Sequence, residues 1–102
     1  MVKVINQAEF DEVRNSELAV VDFSAVWCGP CKMVAPVLEQ VSEELTDVRF
    51  FNVDVDKNMD LAQEYKITNI PAILVMKKGK VVNSQIGFAP KDVLVEVINN
   101  AR

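Results

Sequence analysis

The sequence has no histidine, only two cysteines and only three glycines among its 102 residues. Without an imidazole, Ser-His-Asp hydrolysis, zincin-type metal sites and c-type haem attachment are excluded. Two cysteines without histidine cannot give one chain a tetrahedral zinc site or a four-thiolate iron–sulfur cluster. Gly29, Gly79 and Gly87 fit neither the GxGxxG fingerprint nor the phosphate-cradling P-loop. No run of about 18 apolar residues is present to span a bilayer. The opening Met1-Val2-Lys3-Val4-Ile5 turns polar too soon to be the apolar part of a signal peptide. The net charge of −4 argues against nucleic acid or an anionic membrane as the main partner. An intracellular, cytoplasmic location is expected, where persistent structural disulfides are uncommon.

What is present is an ordinary globular mixture, 50% hydrophobic and 25% charged, in a chain of one domain's length, residues 1–102. Apolar runs alternate with stretches of helical period. Val2 to Ile5 reads as a short strand and Gln7 to Asn15 as an amphipathic helix. Leu18 to Ala25 (LAVVDFSA) is nearly continuous in apolar residues, as in a central strand buried on both faces. From Pro30 to Leu45, Met33, Val34, Val37, Leu38, Val41 and Leu45 recur at helical spacing. Pro36 interrupts that run and predicts a kink. Val48 to Val55 is β-rich again, and Asn58 to Tyr65 predicts a short helix. Ala72 to Met76 and Val81 to Ile86 flank Lys77-Lys78-Gly79-Lys80, a hairpin turn whose glycine supplies positive φ. Pro90 to Ile98 closes the chain as a helix with proline in its first turn. The order βαβαβαββα predicts an α/β fold, a mixed sheet with helices on both faces. Met33, Met59 and Met76 read as core filler.

Chemistry concentrates in Trp27-Cys28-Gly29-Pro30-Cys31-Lys32, between a buried strand and an amphipathic helix. A helix N-terminus presents unpaired N–H groups and partial positive charge, which favour thiolate over thiol. The thiolate is the attacking species. Cys28, at the loop end, is expected to be the exposed nucleophile. Cys31, one turn in, is expected to be shielded and to resolve the mixed disulfide. The bland alternatives are an inert structural disulfide or two unremarkable thiols. Strand-to-helix placement, the absence of metal-ligand partners and Gly29-Pro30 between the thiols favour redox chemistry.

WCGPCK after a VDFxA strand, with Pro36 in the following helix, closely resembles the thioredoxin family. The similarity continues through NVDVDKN (Asn52 to Asn58), YKITNIPAILVMKKGK (Tyr65 to Lys80) and Gly87, so it spans essentially the whole chain. The resemblance implies a thioredoxin fold and protein-disulfide reduction through a Cys28–Cys31 disulfide, without metal or organic cofactor. It also implies recycling by a thioredoxin reductase, disulfide-containing proteins as substrates, and a monomer. Gly29 and Pro30 would tune the site toward reduction. Ile70–Pro71 would be cis and pack against the disulfide, leaving the Ile70 backbone free to pair with an extended peptide. Asp22, costly to bury ionised within LAVVDFSA, would be the family's buried aspartate and take the Cys31 proton. Lys57 would be the family lysine beside it. Trp27, Ile70, Ala72 and Gly87 would form an apolar surface around Cys28 for protein segments of many sequences.

Four positions depart from the family pattern. Ser24 stands where an aromatic, often tryptophan, is common. Val26 replaces a residue that is frequently polar, Lys66 a glycine, and Ala72 a threonine. None touches the thiols; all bear on partner choice. Within the same fold an oxidant or isomerase is the nearest rival, and a glutaredoxin a more distant one. From another class, a redox-switched binding module would have the same cysteines without turnover.

Overall fold

Two apolar runs set the centre of the molecule. In the computed structural model, which describes residues 1–102, Ala19–Ser24 (β2) and Arg49–Asp54 (β3) lie parallel and adjacent. Val2–Val4 (β1) extends the sheet parallel to β3. On the other side, Ala72–Lys77 (β4) runs antiparallel to β2, and Lys80–Ile86 (β5) antiparallel to β4. The strand order is β1-β3-β2-β4-β5. Four helices complete the chain: Asp11–Arg14 (α1), Gly29–Glu44 (α2), Met59–Glu64 (α3) and Lys91–Asn99 (α4).

Alternation along β2 divides the core between the two faces of the sheet. Val20 joins Phe50, Ile73 and Val75 beneath Val34 and Leu38 of α2 and Leu94 and Ile98 of α4. Ala19, Val21 and Phe23 join Phe51 and Val53 beneath Val13 of α1 and Leu61 of α3. Helices thus cover both faces, and the expected mixed sheet is what forms. Burying one such side chain fully contributes about 1.5–3 kcal/mol, so each face holds a substantial share of the stability.

Local rules account for the departures from the expected elements. The first helix is split: Gln7–Glu9 is a 3-10 turn, and α1 is only four residues long. The Asn6 side chain accepts the Glu9 N–H at 3.0 Å, and the Glu9 carboxylate accepts the Asn6 N–H at 2.9 Å. That reciprocal cap closes one tight turn at its N-terminus. α2 runs through Pro36 without a break, with the proline on the exposed side. Met76 is core, but Met33 and Met59 are exposed. Met33 lies two residues beyond buried Cys31, about 200° round the helix, and so faces solvent.

Two positive-φ sites fix the remaining connections. Lys77 pairs with Lys80 across a two-residue turn in which Lys78 and Gly79 have φ of 52° and 80°, as the primed hairpin turns require. Lys66, the second non-glycine residue of this kind, has φ 55°. The Lys66 N–H donates to the Gln63 carbonyl and the Ile67 N–H to the Ala62 carbonyl at 2.9 Å, a Schellman ending of α3. A left-handed residue is needed there, a conformation glycine adopts at no steric cost and lysine adopts less readily.

Candidate active site

β2 ends at Ser24 and delivers Ala25, Val26 and Trp27 to the start of α2. Cys28 is the N-cap residue in extended conformation, with φ −88° and ψ 112°, and Pro30 sits in the first turn, where its missing N–H has no helical partner. The Cys28 Sγ accepts the Cys31 N–H at 3.2 Å, so one of the helix's free donors points at this sulfur. Cys28 and Cys31 form a disulfide with Cα atoms 5.3 Å apart.

Exposure does not separate the two sulfurs as expected. Cys28 is 5% exposed and Cys31 4%. Both pack with Ala25 against half-buried Val55 and Ile70. What separates them is surroundings. Cys28 Sγ lies 3.9 Å from the Ile70 carbonyl oxygen, on the side of the cis Ile70–Pro71 bond. Cys31, and not Cys28, borders a cleft with Ser24, Val26 and Asn52.

The polypeptide around Cys28 is held from both flanks. The Gly87 N–H donates to the Pro71 carbonyl at 2.8 Å, and Gly87 has φ 85°. Exposed Trp27 donates its indole N–H to Asp56 Oδ2 at 2.8 Å. Trp27, Ile70 and Gly87 are therefore accessible around the disulfide. Ala72 is not: at 1% exposure it is a core residue of β4, paired with Phe23. Its methyl group faces the sheet interior, and only its predecessors Ile70 and Pro71 reach the site.

Within β2, two residues before its end, Asp22 is 2% exposed. It follows Val20 by two residues, so its side chain lies on the face covered by α2. One oxygen, Oδ2, accepts from Asn52 Nδ2 at 3.2 Å, while Oδ1 has no partner. Burial raises the carboxyl pKa from 3.8 to about 6, and the hydrogen bond from Asn52 offsets part of that rise. The same amide nitrogen reaches Ser24 Oγ at 2.9 Å and the Asp22 carbonyl at 3.2 Å.

Lys57 makes no direct charge contact with Asp22, though it borders a cleft together with Asn52. It is exposed, lies in the turn beyond the end of β3, and forms no ion pair with that carboxylate. The parallel register places Asn52 opposite Asp22, and Lys57 comes five residues later. Sequence reasoning missed Asn52 and Asp56. Both belong to the NVDVDKN stretch, and aligning LAVVDFSA with VRFFNVDV as parallel neighbours was the signal for Asn52.

Comparison with known proteins agrees with this geometry. The family model described as Thioredoxin matches residues 1–100. Thioredoxin of Listeria monocytogenes is 44% identical over 100 residues, covering 97% of each chain. Thioredoxin of Bacillus subtilis is 42% identical over 100 residues, covering 97% of this chain and 95% of that one. Among solved structures, Plasmodium falciparum thioredoxin superposes with a TM-score of 0.89 at 40% identity, over 97% of this chain and 98% of that one. Fasciola hepatica thioredoxin gives 0.88 at 35% identity, over 99% and 100%. With its cysteine pair at a helix N-terminus, the chain is a disulfide reductase working by dithiol–disulfide exchange, and it belongs to the thioredoxin family.

Proposed function

We propose that Cys28 makes the first attack and Cys31 the second. The observation that carries this order is the Cys31 N–H donated to Cys28 Sγ at the head of α2. That donor and the helix terminus stabilise a thiolate on Cys28 and give Cys31 no equivalent help. The Cys28 thiolate attacks one sulfur of a protein disulfide and expels the other, leaving substrate joined to Cys28. Cys31 then loses its proton and attacks Cys28 Sγ, which releases the reduced substrate and closes the Cys28–Cys31 bond.

Asp22 takes the Cys31 proton in this scheme. It lies on the α2 face, and with a pKa of about 6 it is largely ionised near neutral pH yet still a competent base. Asn52 holds Oδ2, leaving Oδ1 as the oxygen free to exchange a proton. An extended segment of the substrate lies along the Ile70 backbone, flanked by Trp27 and Gly87. Gly29 and Pro30 set the turn between the sulfurs. The whole chain acts as one domain, a monomer in the cytoplasm, and a thioredoxin reductase returns it to the dithiol.

Cys31→Ser should accumulate a mixed disulfide with a disulfide-bonded protein substrate, joined through Cys28. Alkylation of the reduced parent near neutral pH should be faster at Cys28. Equal alkylation rates, or capture of the protein through Cys31 in Cys28→Ser, would reverse the assignment.

A further inference from the structure

Met59 is a long apolar side chain left 71% exposed in the first turn of α3, and neither the core nor the reaction just described uses it. It borders a groove of about 600 Å³, within the size range of ligand sites. Half-buried Val55 and Ile67 and buried Ala62 supply the other apolar walls. Exposed Asp60 and Lys66 border the groove as well, one charge of each sign, so it does not select by charge.

Two contacts join this groove to the disulfide. Val55, one of its walls, packs against the cluster of Ala25, Cys28 and Cys31. Asp56, another, accepts the Trp27 indole N–H at 2.8 Å. Ile67 and Thr68, which close the groove, come shortly before Ile70 in the chain. An extended segment advances about 3.3 Å per residue, so a substrate paired along the Ile70 backbone brings a residue about two or three places from its cysteine over the groove.

We propose that Met59 is a specificity-determining residue, and that its groove takes a large apolar side chain of the substrate protein, carried close in sequence to the cysteine that Cys28 attacks. The inference rests on the dithiol-exchange reading and adds to it a rank order among protein disulfides. Methionine is unbranched and polarizable, so its thioether fits leucine, methionine or phenylalanine alike. A rigid side chain at this place would select one shape. The preference is thus for apolar character rather than for a particular sequence. Short or charged side chains remove no apolar surface from water there and gain nothing from the groove.

The test uses two symmetrical peptide disulfides, each a single-cysteine peptide joined to its own copy. One carries leucine and the other serine at the second and third positions on both sides of the cysteine. Release of free peptide by the reduced protein is followed by chromatography in single turnover. Each rate is divided by that for bis(2-hydroxyethyl) disulfide, which is too small to reach the groove. The parent should favour the leucine peptide by about fivefold or more, the scale of partly burying one such side chain. Met59→Ser should bring the two rates together by slowing the leucine peptide. Met59→Leu, which restores an apolar side chain, should keep most of the preference. Equal rates in the parent, or an unchanged preference in Met59→Ser, would overturn the proposal. So would equal slowing of both peptides, which marks a structural role. A parental dimer in sedimentation that Met59→Ser dissociates would also overturn it, since a second copy would then occupy the groove. Capture of the leucine peptide through Cys28 in Cys31→Ser, measured alongside, keeps the two readings apart. If that capture fails, the dithiol scheme itself is wrong; if it succeeds without a leucine preference, only the groove proposal falls.

Discussion

On the face of the sheet covered by α1 and α3, β2 and β3 bury Ala19, Val21, Phe23, Phe51 and Val53, all apolar, with the exposed Arg49 at the edge over the Phe51 ring. On the face covered by α2, the same two strands begin with Val20 beside Phe50 and end with Asp22 beside Asn52 and Ser24 beside Asp54. The polarity changes along the strands toward the head of α2, where the disulfide lies. One face follows the rule that a parallel sheet buries apolar residues on both sides. The other breaks it over its last two registers, at the cost of an orphaned carboxylate oxygen. A buried group of that kind lowers stability, and in the proposed scheme it serves as the base for Cys31.

The largest expected effect lies on the apolar face. Phe23 is fully buried and packs near Tyr65, with ring centroids 6.1 Å apart. Phe23→Ala should cost about 3–5 kcal/mol through lost transfer energy and the cavity left behind. Denaturant midpoints at pH 4 and pH 8 should fall by similar amounts, since no ionisable group is involved. A loss confined to one pH would tie this face to the titrating one and break the contrast.

Asp22→Ala tests the polar face and should act in the opposite direction. The raised native pKa means that the folded protein keeps a proton which the unfolded chain releases near pH 3.9. That contribution to stability is present below the unfolded value and lost as pH rises through about 6. Above it, the full penalty of the buried charge is of the order of 3 kcal/mol, at about 1.4 kcal/mol per pH unit. The small cavity left by alanine opposes the gain. The variant should be more stable than the parent at pH 8, with the difference shrinking or reversing at pH 4, and it should resolve mixed disulfides more slowly. An aspartate that gains nothing at pH 8 when removed and leaves single-turnover rates at the parental value has no such role.

How much of this could be read from the sequence differs between the two faces for the same reason. Periodicity locates β2, α2 and the hairpin because apolar burial is a property of single elements. WCGPCK locates the reactive sulfurs because the strand-to-helix junction is local. Asn52 is not local: its partner is 30 residues away, and only the β2–β3 register brings them together. Ala72 fails in the opposite way. Its nearness to Pro71 suggests the site, but the alternation of β4 turns its methyl group into the core. The burial of Cys28 likewise depends on Val55 and Ile70, which arrive from elsewhere in the chain.

The smallest expected effect is also the sharpest probe of the polar face. Asn52→Leu removes the donor to Asp22 Oδ2 while leaving the desolvation that raises the carboxyl pKa. Since the hydrogen bond lowers that pKa, the leucine variant should titrate above the parental value. The pH at which the charge penalty sets in should rise with it, and so should the pH needed for fast resolution by Cys31. Near pH 8 the ionised carboxylate has lost its one side-chain donor. Asn52→Leu should then cost about 1–3 kcal/mol, as hydrogen bonds to charged groups do. Most of that cost should vanish in the Asp22→Ala background, where no carboxylate remains to be satisfied. Combining the two substitutions gives the coupling directly. Adjacent groups sharing a hydrogen bond should depart from additivity by more than about 0.5 kcal/mol at pH 8, and by less where Asp22 is neutral. Additive behaviour at both pH values, with an unmoved pH profile for resolution, would mean that Asn52 merely fills space beside Asp22. The polar registers would then be two independent accidents of one strand pair rather than a single unit.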